Sequence, residues 1–432
     1  MVMLLASTVV AQLIFPIHAA PPSLNSGNSD APAVQADPPE PRRIQIWWGT
    51  RGSLGQEFER QVGRFNDSQK RVFVEVRRLD GYGVVNQELQ KAFQSGDLPD
   101  AAVIEIHSVA TFAADKRVQP LDDFIKGDRS FQPDDLLPGI LTNLRYEDRL
   151  YALPMNRSTP ILYYNKQRFR DAGLDPKKPP ETWEQLRQMS RMLTVPGGKE
   201  YGFLVRSHPW IFESLVWGAG GQLVVNKSPS FATPGAKPLQ LWADMVHVDE
   251  TARYRETNDW FEEFTSGRAA MAIESTALLQ TLTVNSGFEV GTALIPRLEG
   301  FKNAVPTGGG AAVIPVGIPI ENRAAVWEFL TWFISTSQTA EFSRATGYIP
   351  IRTSAQKLLK SEGFYEKYPE FETAVVQMQY AREAPNLKQW AAAWKFIGEA
   401  MTTVLRDNAP PVETLRGAEE KVEALLNPEP GK

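Results

Sequence analysis

From residue 43 the chain alternates apolar and polar positions in RIQIWW (43–48), the period of two expected of a half-buried strand. The spacing then changes: Leu54, Phe58, Val62 and Phe65 fall on one face of a helix predicted over 54–66. A second alternating run at 72–76, a helical run at 81–95 and a short, nearly continuous apolar run at 101–106 complete a strand–helix–strand–helix–strand series. The last run reads as a parallel strand buried on both faces. Order of this kind argues for a doubly wound α/β lobe. Further along, 149–155 and 161–165 read as strands, and 181–193, 257–266 and 324–335 as helices. The end, 386–426, is predominantly helical in pattern, and no short-period repeat is visible.

Two segments precede the periodic part. Residues 1–20 carry an apolar run (2–15) of secretory length, shorter than the roughly 20 residues of a membrane span, followed by the small residues Ala19 and Ala20. We read 1–20 as a signal peptide, although no Lys or Arg precedes the run. The expected location is the periplasm, or a membrane tether if the leader stays on. Residues 21–41 are rich in Pro, Ser, Asn and Asp, with almost no large apolar side chains, and read as a flexible linker.

Composition narrows the chemistry. With 432 residues, 42% of them hydrophobic, there is material for two lobes with separate cores. A net charge of -5 argues against nucleic acid as a partner. The absence of cysteine excludes disulfides, thiolate catalysis, cysteine-bound zinc and a lipidated cysteine anchor. No phosphate loop, dinucleotide fingerprint or G-x-S-x-G elbow occurs, and the four histidines form no metal-binding pair. No catalytic residue, metal or cofactor is therefore expected. The alternative that composition leaves open is a glycoside hydrolase using two carboxylates across a cleft.

Four segments share a different theme. The first, LPMNRSTPILYYNKQRFRDAGLDPKKPPETWEQL (153–186), places a polar Asn-Arg-Ser-Thr elbow between two apolar strands. Its later part offers Thr182 as a helix N-cap, with Gln185 as its capping-box partner. The second, FTSGRAAMAIESTALLQTL (264–282), delivers Ser275 just beyond a strand, and the third, NAVPTGGGAAVIP (303–315), sets three glycines before another. The fourth is a helix over 327–344 followed by TGYIPIR (346–352). Together, and in this order, they resemble the family 1 extracellular solute-binding proteins of carbohydrate-type ABC importers. The likeness is strongest to the branch that binds sn-glycerol 3-phosphate and glycerophosphodiesters, and it runs from 44 to about 426.

The resemblance implies a two-lobed periplasmic-binding-protein clamshell with three interlobe crossings, near 156–160, at Ser275 and at 347–349. Lobe 1 would comprise 42–155 plus 276–346, and lobe 2 156–275 plus 347–428. It also implies a monomer that hands its ligand to permease subunits driven by a cytoplasmic ATPase. Carried over residue by residue, the ligand set is Tyr82, Ser158, Ser275, Gly308 and Tyr348, with Gly309 beside it. Two positions depart from the pattern. The family's carboxylate falls near Ile106, so Glu105 or His107 would have to replace it. Its phosphate-gripping arginine falls on Lys395, a point charge that cannot form the bidentate fork, and Arg157 would have to add charge. Trp210 and Trp394, within a larger set that includes Trp47, Trp48, Trp217 and Trp390, suit a ring-bearing ligand. Two ligand classes thus stand side by side: a glycerophosphate, or a neutral sugar or glycosyl-polyol.

Overall fold

The structure, a computed structural model, describes residues 40–50, 52–256 and 259–428. The predicted leader and nearly all of the predicted linker lie outside the described residues. So do the first two positions of the helix expected over 257–266, whose described part is Trp260–Thr265.

The first sheet opens as the sequence pattern implies. Strand β1 (Arg42–Trp48), helix α1 (Gly52–Ser68), strand β2 (Val72–Arg78), helix α2 (Tyr82–Ser95) and strand β3 (Ala101–Glu105) follow in turn. Phe58, Val62 and Phe65 of α1 are buried, and Phe58 stacks on Trp48 with ring centroids 3.7 Å apart. Burying a side chain of that size stabilises by roughly 2 kcal/mol, so this contact anchors α1 on the sheet. Strand β4 (Leu153–Pro154) then leads through the elbow into β5 (Pro160–Asn165).

β5 belongs to a second sheet, with β6 (Tyr201–Val205), β7 (Ala252–Tyr254), β8 (Ala269–Ser275) and β9 (Val290–Ala293). Strand β10 (Gly310–Val313) returns to the first sheet, whose order is β2-β1-β3-β10-β4. The second sheet runs β7-β6-β8-β5-β9. In each sheet three neighbouring strands are parallel, and the fourth in the row, β10 or β5, is antiparallel to both its neighbours.

The second sheet is buried on both faces. Leu162 and Tyr164 of β5 enter one core, Ile161 and Tyr163 the other, as strand alternation requires. Helix α3 (Trp183–Leu193) begins at Thr182, whose hydroxyl accepts the Gln185 N–H at 3.2 Å. The Gln185 side chain returns the bond one residue upstream of the expected position, accepting the Glu181 N–H at 2.8 Å. Helix α4 (Pro209–Gly218) and the C-terminal pair α5 (Trp390–Asp407) and α6 (Pro411–Leu426) enclose one of this sheet's cores.

One expected boundary is corrected. The segment 276–305, assigned to the first lobe from the sequence, supplies β9, which pairs with β5 in the second sheet. Val305 also lies in the second sheet's core. The chain therefore passes between sheets at 306–310, where Gly308 and Gly309 lead into Gly310, the first residue of β10, and not at Ser275.

Candidate functional site

The elbow 155–159 is bonded to three other segments of the chain. Ser158 and Gly308 exchange both backbone hydrogen bonds, at 3.0 and 2.8 Å. Ile349 N–H donates to the Arg157 carbonyl at 2.8 Å, and Thr276 N–H to the Thr159 carbonyl at 3.0 Å. Four stretches of chain are thus laced side by side where the sheets meet. Ser275 stands at this junction although the crossing does not. Its hydroxyl is occupied locally, accepting the Ala277 N–H at 3.2 Å to cap the turn at Thr276–Leu278.

The glycines have a packing reason. A Cβ on Gly308 would lie 2.8 Å from the Trp210 ring, and one on Gly310 would lie 2.8 Å from the Tyr82 hydroxyl. Gly309 has φ +124° and sits against the Asn156 carbonyl. The sequence reading reserved this bare backbone for a ligand; in the structure, neighbouring side chains and the elbow itself approach it. Asn156, which the sequence reading overlooked, accepts the Gly310 N–H at 2.7 Å through Oδ1. The Tyr82 hydroxyl lies 3.5 Å from Asn156 Oδ1, and burial raises the phenols of both Tyr82 and Tyr348 above their ordinary pKa.

Arg157 is corrected from ligand cation to structural staple. Its guanidinium is buried and donates to the carbonyls of Asn156 (3.0 Å), Gly310 (3.3 Å) and Ile140 (3.1 Å). Burial lowers its pKa to about 10. Lys395 is corrected as well: its side chain is 75% exposed and lies 4.0 Å from Glu399, so it points along the outside of α5.

The acidic side of the junction was only partly foreseen. Strand β3 ends at Glu105 and the chain turns at once into a 3-10 segment, Ile106–Ser108. Strand alternation therefore stops there. Glu105 folds back to accept the His107 backbone N–H (3.0 Å) and to meet His107 Nδ1 (2.6 Å). Ile106, the position matching the family's carboxylate, is buried in the first core. Burial alone would lower the His107 pKa, but the Glu105 carboxylate beside it leaves it above the ordinary value.

Across from His107 stands Glu213, a residue absent from the sequence expectations. It is fully buried on α4, and its Oε1 accepts the indole N–H of Trp390 (3.2 Å) and Trp394 (3.1 Å). Desolvation raises its pKa to about 7, against the opposing pull of His107 and the two indoles. The signal lay in PWIFESLVWG (209–218): one acid in an otherwise apolar helix, where a carboxyl must be buried and therefore given partners. Trp394 bridges the two sides, its ring centroid 4.7 Å from that of His107. Trp210 is buried against Gly308. Trp47 and Trp48 are taken up by the first core, and Trp217 by the second, with Arg382 over its ring.

This arrangement is an enclosed polar seam between two sheets, built from two tyrosines, an imidazole, a buried acid and indoles. The sequence profile of the bacterial extracellular solute-binding proteins matches residues 56–373. The chain belongs to that family. The sn-glycerol-3-phosphate-binding periplasmic protein UgpB of Yersinia pestis is 30% identical over 368 residues, covering 80% of this chain and 82% of the relative. Its counterpart in Pectobacterium atrosepticum is 28% identical over 89% of this chain and 91% of its own. Among solved structures, UgpB of Mycobacterium tuberculosis, in complex with glycerophosphocholine, superposes with a TM-score of 0.80 at 24% identity, covering 89% of this chain and 98% of that one. The acarbose-binding GacH receptor of Streptomyces glaucescens gives 0.79 at 23% identity over the same shares. The solute-binding fold is therefore the two-lobed α/β clamshell with a helical C-terminal region. As a solute-binding protein the chain is a receptor, not an enzyme, and the two-carboxylate hydrolase alternative is set aside.

Proposed function

We propose that the protein is the substrate-binding subunit of an ABC importer, exported to the periplasm, which captures a small polar solute and presents it to membrane permease subunits. The lobes in this reading are 42–155 plus 306–346, and 156–305 plus 347–428. Tyr82, His107, Ser158, Trp210, Glu213, Tyr348 and Trp394 face the solute. The observation that carries the proposal is the buried polar seam where the two sheets are laced together. Hydroxyl, imidazole and indole groups at that place give directional hydrogen bonds to a ligand reached from both sides.

Contacts between the lobes support a closing motion. Thr111 Oγ1 donates to the Lys388 carbonyl (2.6 Å), and Lys388 Nζ pairs with Asp115 (2.6 Å). Asn143 donates to the Ala384 carbonyl (3.1 Å), and Asn386 to the Arg145 carbonyl (2.6 Å). These bonds join the rim of the first sheet to the segment before α5, far along the chain. A solute that touches both lobes favours this closed form by its differential affinity. A thermal-shift screen of sugars, polyols and glycerophosphodiesters tests the proposal. A binder raises the melting temperature by mass action and is recovered unaltered; a solute degraded over hours would contradict it.

A further inference from the structure

His107 Nε2, Glu213 Oε2, Trp210 Nε1 and Ser214 Oγ are four buried polar atoms without a hydrogen-bond partner; Arg157 Nε and Thr159 Oγ1 of the elbow and His208 Nδ1 at the start of α4 are others. Of the first four residues, three lie on a single turn of α4. The fourth, His107, faces them through Trp394, which donates to Glu213 and packs on the imidazole. Buried polar groups of folded proteins are almost always paired, so such a cluster points to a missing partner. With Nδ1–H directed at Glu105, His107 Nε2 is an acceptor, as is Glu213 Oε2; the Trp210 indole is a donor. A partner for this set must both donate and accept. Sugar and polyol hydroxyls do both; of a glycerophosphate only the glycerol hydroxyls could, and its phosphate, which only accepts, would need cationic donors close by.

The cations reinforce the same choice. Phosphate recognition relies on a free guanidinium fork or an ammonium. The two terminal amino groups of Arg157 are directed at three backbone carbonyls, leaving only its buried Nε without a partner and no bidentate fork; Arg206 is paired with Glu274 at 3.0 Å, and Lys395 points outward. A phosphate against Trp394 would instead meet the carboxyls of Glu213 and Glu105. We infer that Glu213 and His107 form a hydroxyl-reading subsite that selects an uncharged polyhydroxyl solute, a sugar or polyol, over a phosphorylated one. This inference rests on the capture reading above and narrows its ligand class. It makes Glu213 a specificity-determining residue, with the indole N–H groups of Trp390 and Trp394 as its positioning partners.

The test uses the full chain at pH 7.5, by thermal shift and then calorimetry. The probes are a panel of neutral saccharides and polyols that includes maltose and ribitol, and sn-glycerol 3-phosphate. The expected result is a rise in melting temperature with at least one neutral probe and none with sn-glycerol 3-phosphate. Glu213→Ala is expected to weaken the neutral probe by at least about tenfold, the loss of one hydrogen bond to a charged group. His107→Ala supplies the same test should Glu213→Ala fail to fold. Binding of sn-glycerol 3-phosphate at undiminished affinity in both variants overturns the inference while leaving solute capture intact. Silence across the whole panel counts against both.

Discussion

At the scale of single residues, the side chains that matter are those whose burial demands an explanation. Glu213 is the clearest. Its carboxyl titrates near 4.5 when unfolded and about 7 when folded, because the interior penalises its charge. Between those values the folded chain keeps a proton that the unfolded chain has released, so stability falls as pH rises from about 4.5 to about 7 and is then constant. The total is about 3 kcal/mol, and His107, whose raised pKa acts in the same direction, adds a further loss above pH 6.5. Glu213→Gln lacks the first slope. Its melting temperature relative to the parent is therefore expected to improve between pH 5 and pH 8; parallel curves would contradict the assignment. Lys395→Ala, on the exposed side of α5, is expected to leave solute affinity within about twofold, the scale of an exposed ion pair. Arg157→Met, in contrast, strands the carbonyls of Asn156, Gly310 and Ile140 and is expected to cost about 3 kcal/mol in urea unfolding. The roles of Arg157 and Lys395 were not readable in advance: both are basic residues beside promising neighbours, and only the structure shows which is inside.

At the scale of elements, periodicity predicted the first sheet's strands and helices closely, because each segment's apolar spacing matches the face it buries. Phe58, Val62 and Phe65 line up on α1 for that reason. The capping pair Thr182 and Gln185 was legible too, since a cap is local chemistry. What local pattern cannot show is partnership between distant segments. Strand β9 was not predicted from the sequence, and nothing in its own residues says that it joins β5 and not the first sheet. The glycine run 308–310 announced a close approach without naming what approaches. Gly309→Ala tests the answer. At φ +124°, and with its Cβ 2.4 Å from the Asn156 carbonyl, alanine is expected to destabilise by about 3 kcal/mol in chemical denaturation. A neutral result would mean that the elbow and the 306–310 crossing are not packed as described.

At the scale of the whole molecule, two sheets of the same strand pattern are tied at a laced junction, 157–159 with 276, 308 and 349, and meet again across a rim of side-chain bonds. The first tie is backbone to backbone and is expected to persist in every state. The second is made by side chains of Thr111, Asn143, Asn386 and Lys388, which can part without unfolding either core. Among the described residues no helix is long and apolar enough to cross a membrane. In the proposed function the two lobes close on a solute held in the seam. Small-angle scattering of the full chain tests it most directly, with and without a saturating concentration of a solute that raises the melting temperature. A smaller radius of gyration is expected in the presence of the solute; a radius unchanged at saturation would rule out closure.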